Sequence, residues 1–96
     1  MWVYSDAMPR AAKPAPGPLS LEVASILRAE MGRQNNMSKA ELARRSKLDR
    51  TAVSDIVRGL SQADIEQLDA ICQALGISMT AVIKEAEKTT DSRRLL

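Results

Sequence analysis

The chain has no histidine, no phenylalanine, one cysteine, one tryptophan and one tyrosine among its 96 residues. Each scarcity excludes something. Without histidine, and with a single thiol, it holds neither a zinc-type ligand set nor a Ser-His or Cys-His pair for nucleophilic catalysis. Cys72 has no partner for an internal disulfide and is expected as a small core residue. The four glycines form no phosphate-cradling loop, and the carboxylates do not gather into an acid–base pair. The chain therefore reads as a non-enzyme without cofactor or metal. No apolar run approaches the roughly 20 residues that cross a bilayer, and the N-terminus lacks the continuous apolar segment of a signal peptide. A cytoplasmic protein with no membrane association is expected.

What is present is aliphatic. Hydrophobic residues make up 45% of the chain, enough for one small domain built on Leu, Ile, Val and Ala. The net charge of +2 is modest but uneven. From Arg28 to Arg58 eight bases face four acids; from Gly59 to Asp91 two bases face six acids. A basic middle is thus followed by an acidic segment.

Residues 1–18 carry all four prolines, a spacing that excludes a continuous helix or a paired strand. They read as an N-terminal arm. Both aromatics, Trp2 and Tyr4, lie in it; they belong either to a solvated leader or to a segment that docks on the domain or on a partner. Met8 is a second candidate start.

Residues 19–89 read as an all-α domain. Leu19, Val23, Ile26, Leu27 and Met31 recur at helical spacing, and this first helix should end near Gly32 to Asn35. Ser38, with Glu41 three residues on, forms a capping box that opens a second helix, with Leu42, Ala43 and Ser46 inward. Asp49 is the expected N-cap of a third helix, Val53 and Ile56 its inward residues and Gly59 its stop. A fourth helix opens at Ser61 or at Ala63 and Asp64, places Ile65, Leu68, Ile71, Cys72 and Leu75 on one stripe, and ends at Gly76. Ser78 caps a fifth, which carries Met79, Val82, Ile83 and Ala86. Residues 90–96 are read as a fraying C-terminal tail.

Two short helices joined by a turn of about four residues are the pattern of a helix-turn-helix, whose second helix offers its N-terminal side chains to the major groove. Small Ala43 lets the two helices cross closely. Leu42, Leu48, Val53 and Ile56 join them to the core, leaving the rest of the third helix polar.

Over about Leu21 to Ala86 the sequence resembles the Cro and lambda-repressor-like helix-turn-helix proteins. The resemblance is carried by "MSKAELARRSKLDRTAVSDIVRG" from Met37 and "IEQLDAICQALGIS" from Ile65. Ala43, Val53, Ile56, Gly59, Leu75 and Gly76 match the residue types usual there. Two positions depart: Lys47 stands where glycine is common, in a turn that goes left-handed, and Lys39 replaces a common glutamine. The resemblance implies a five-helix lambda-repressor-like domain and, as function, a sequence-specific transcriptional regulator. It implies a phage-type repressor that binds a double-stranded, pseudo-palindromic operator as a homodimer. With no second domain expected after the helices, the larger repressors with a self-cleaving C-terminal domain are set aside. The alternative is an antitoxin that neutralises a partner protein, through the arm or the tail, and represses its own operon.

By the same resemblance the base-reading positions are Arg50, Thr51, Ser54 and Asp55, with Arg58 further along. The chemistry agrees: Arg50 offers a bidentate pair to guanine, Thr51 a methyl or hydroxyl contact, and Asp55 an acceptor for a cytosine amine. Alternatively Asp55 simply pairs with Arg58 at i+3. Lys39, Arg44, Arg45 and Lys47 suit phosphates. Arg10 and Lys13 on the arm suit the backbone or a minor groove.

Overall fold

The computed structural model describes residues 15–94, which form five helices and, among the described residues, no strand: α1 (Pro18–Arg33), α2 (Lys39–Ser46), α3 (Arg50–Val57), α4 (Ile65–Leu75) and α5 (Met79–Arg94). Proline opens α1, where its missing N–H would lack a partner in any case. The helix stops at Asn35 and Asn36, both at positive φ (60° and 55°), a region that asparagine tolerates better than most residues. The Met37 amide then closes the turn onto the Met31 carbonyl at 3.0 Å.

Side-chain caps set most of the remaining starts. Ser38 Oγ accepts the Glu41 N–H at 3.0 Å, Asp49 Oδ2 accepts the Ala52 N–H at 3.2 Å, and Ser78 Oγ accepts the Ala81 N–H at 3.2 Å. At α4 the expected cap Asp64 is joined by Gln67, whose side chain accepts the Asp64 N–H in return, so the reciprocal capping box lies here. The box expected at Ser38 is only half made. The Glu41 carboxylate turns to Arg44 and Arg45, because charge-assisted bonds to two guanidinium groups outcompete one neutral amide.

The core is aliphatic. Leu27, Leu42, Val53, Val57, Ile71 and Cys72 are fully buried, one or two from each of the first four helices, and α5 adds Val82 and Ala86. α5 lies along α1, while α2 rests on both α3 and α4. The helix-turn-helix pair is thus braced from two sides.

Two expectations change, at Ile65 and at the C-terminal tail. Ile65 is 73% exposed although it shares the spacing of the buried stripe; as the first residue of α4 it stands at the edge of the core. Val82, at 4% exposure, belongs to the core, whereas Met79 and Ile83 are half-buried against it. Finally, α5 runs on to Arg94 through most of the stretch read as a tail, and Thr90 within it is only 2% exposed. Burial along one face, invisible to a reading of polar composition, keeps that segment helical.

Candidate nucleic-acid interface

The turn between α2 and α3 is built on Lys47, which takes the left-handed conformation (φ 62°, ψ 30°) anticipated from the usual glycine. Its N–H and that of Leu48 both return to the Ala43 carbonyl, the latter at 3.2 Å. Buried Ser46 adds a hydroxyl bond to the Leu42 carbonyl at 2.8 Å. This closes α2 and redirects the chain within two residues to the Asp49 cap of α3.

α3 is sharply two-sided. Val53, Ile56 and Val57 are buried, whereas Arg50, Thr51 and Arg58 are exposed and Ser54 and Asp55 half-buried. Arg50 and Thr51 occupy the first turn, directly after the Asp49 cap. Asp55 and Arg58 make no ion pair with each other, so the local i+3 pairing is not formed. Such a face offers guanidinium, hydroxyl and carboxylate groups side by side on a rigid support.

The basic residues flanking it differ in their surroundings. Lys39, Arg44, Arg45 and Lys47 are all exposed. Glu41 binds both Arg44 and Arg45: Arg44 Nε donates to Oε1 at 3.0 Å, a second Arg44 nitrogen contacts Oε2, and Arg45 Nε donates to Oε2 at 2.7 Å. These bonds, from Arg44 first and Arg45 second, lower the Glu41 pKa to about 2 and raise that of Arg44. Lys39, Lys47, Arg50 and Arg58 carry no ion pair among the described residues.

Two other side chains hold the scaffold and went unnoticed in the sequence. Arg28 Nη1 donates to the Val57 carbonyl at 2.6 Å, and Gln34 Nε2 donates to the Leu75 carbonyl at 2.7 Å, so α1 and the residue that caps its end grip the C-terminal ends of α3 and α4. Partners 29 and 41 residues apart leave no local signature. The Asp64–Gln67 box did leave one, an Asp followed three residues later by a Gln ahead of an apolar run. Burial and the nearby Asp69 carboxylate raise the Cys72 thiol pKa, as suits a core residue. Arg10, Lys13, Trp2, Tyr4 and Met8 lie outside the described residues.

Among the described residues no helix is long and apolar enough to cross a membrane. No curated protein sequence matches the chain. Solved structures do. The clp gene regulator ClgR from Corynebacterium glutamicum is 27% identical, covers 85% of this chain and 85% of its own, and has a TM-score of 0.69. The restriction-modification controller protein C.Esp1396I is 26% identical over 75% of this chain and 92% of its own, with a TM-score of 0.64. A hypothetical transcription factor, NHTF from Neisseria, is 25% identical over 82% of this chain and 93% of its own, with a TM-score of 0.60. A helix-turn-helix family model matches residues 27–82, from α1 through the start of α5. With that match spanning more than half of the chain, the protein belongs to the XRE-type helix-turn-helix family of DNA-binding transcriptional regulators.

Proposed function

We propose that the chain is a sequence-specific repressor of the compact phage type, which binds a pseudo-palindromic operator as a homodimer with α3 in the major groove. One observation carries the reading: Arg50 and Thr51 are exposed in the capped first turn of a helix that Val53, Ile56 and Val57 lock into the core. A side chain that must align with a base edge needs a support that does not yield.

In this reading Arg50 and Thr51 meet the bases first, Ser54 and Asp55 follow one turn on, and Arg58 marks the edge of the contact. Lys39 and Lys47 neutralise phosphates directly. Arg44 and Arg45 do so together with Glu41, which reduces their net attraction for the backbone. The acidic α4 and α5 face away from the DNA, and Arg10 and Lys13 of the N-terminal segment add backbone or minor-groove contacts. The work is binding rather than catalysis, and its place is the cytoplasm. The solved relatives, a clp gene regulator and a restriction-modification controller, favour gene regulation over toxin neutralisation.

Selection of bound sites from random duplexes tests the proposal. The expected result is a two-fold-related site with half-sites about 10 bp apart, bound by two chains as measured by the mass of the complex. Enrichment of no sequence over background would sink it.

A further inference from the structure

The last four carbonyls of a helix have no intrahelical donors, so each needs a partner from elsewhere. In α3 they belong to Ser54, Asp55, Ile56 and Val57. The chain that follows serves three of them: Arg58 N–H reaches the Ser54 carbonyl at 3.0 Å, Leu60 N–H the Asp55 carbonyl at 2.8 Å, and Gly59 N–H the Ile56 carbonyl at 3.1 Å. The fourth, Val57, is served by Arg28 of α1 at 2.6 Å. The Gly59 turn (φ 77°) leans on the same helix, since a Cβ at that position would stand 3.2 Å from Leu21 Cδ2.

We propose that Arg28 is a positioning residue for DNA reading, which sets the tilt of α3 by tying its C-terminal end to α1; the assignment rests on the base-reading role of α3 proposed above. The geometry is that of a lever. α3 has eight residues, a length of about 12 Å, so a tilt of about 5° at its C-terminal end moves the first turn by about 1 Å, enough to misalign a bidentate pair. Arg50 and Thr51 stand at the far end of that lever. Arg28 is exposed and lines a shallow cleft with Lys39 and Arg58, which makes a phosphate ligand the competing role. The bond to Val57 commits Nη1 of that guanidinium to protein.

The test uses the full chain as wild type, Arg28→Met and Arg28→Lys. Affinity is measured for the selected operator, its single-base variants and an unrelated duplex over a salt series, with amide hydrogen exchange of the free protein alongside. For Arg28→Met the operator should bind about tenfold more weakly, while the unrelated duplex and the salt slope stay nearly unchanged. The amides of Arg58, Gly59 and Leu60 should exchange faster. Arg28→Lys keeps a donor and should recover most of the discrimination and the protection. A uniform loss on every duplex with a salt slope flatter by about one unit would make Arg28 a phosphate ligand and overturn the proposal. So would unchanged discrimination, or unchanged exchange at residues 58–60. If the wild type itself fails to bind any duplex, the DNA reading of α3 falls, while the exchange data still decide whether Arg28 holds the helix.

Discussion

The N–H of Lys47 bonds to the carbonyl of Ala43 while the Lys47 backbone itself is left-handed, at φ 62°. A lysine there carries backbone strain of about 1 kcal/mol, which glycine does not. Lys47→Gly should raise stability by about 0.5 kcal/mol, the greater chain freedom of glycine offsetting part of the gain. If Lys47 meets phosphate, the same variant should bind DNA less tightly, with a salt slope reduced by about one unit. Urea midpoints and a salt series separate the two effects, and a destabilised variant would contradict the strain.

Arg50→Ala should cost about 1–3 kcal/mol on the best operator and little on operators already altered at the base pair it reads. Its exposed place on a capped helix leaves the melting temperature almost unchanged. Binding to the operator and all its single-base variants, at one salt concentration, decides the matter; equal loss on every variant would refute base reading.

Lys39, first in α2 and without an ion pair among the described residues, should act through charge alone. Lys39→Ala is expected to weaken all duplexes alike and to flatten the salt dependence by about one unit. A site-dependent loss would instead place Lys39 on a base.

Glu41 titrates at about 2, below its ordinary 4.5, because Arg44 and Arg45 bind its ionised form. A carboxylate with a depressed folded value contributes stability above pH 4.5 and loses it as the pH falls towards 2. Glu41→Gln should therefore lie below the wild type in stability at neutral pH, the gap closing between pH 4.5 and 2. At neutral pH it should also bind DNA with a steeper salt slope, since Arg44 and Arg45 are released for phosphates. Chemical denaturation at several pH values reads the first effect; a gap that stays constant would mean the ion pairs contribute nothing.

Thr90 is buried, and among the described residues its hydroxyl has no hydrogen-bond partner. An unsatisfied buried hydroxyl is costly, so Thr90→Val, nearly equal in shape, should stabilise the protein by about 1 kcal/mol despite the lower helix propensity of valine. A denaturant midpoint that shifts downwards would show that the hydroxyl is satisfied in solution.

Local chemistry alone determined much of this protein. Proline at the start of α1, Ser38, Asp49, Asp64 and Ser78 as caps, and glycine at 59 and 76 as stops act on their own few residues, so the order of five helices can be read along the chain. The two-sidedness of α3 was legible for the same reason: Val53 and Ile56 at i, i+3 leave Thr51, Asp55 and Arg58 on the opposite side of the helix. Tertiary structure decided what depends on distance in space. The grip of Arg28 on Val57 and of Gln34 on Leu75 joins residues that no periodicity relates. Ile65 shares the spacing of the core stripe and still faces solvent, while Thr90 has polar company in sequence and is buried. A side chain's burial is set by what packs against it, and that is fixed only once the helices have met.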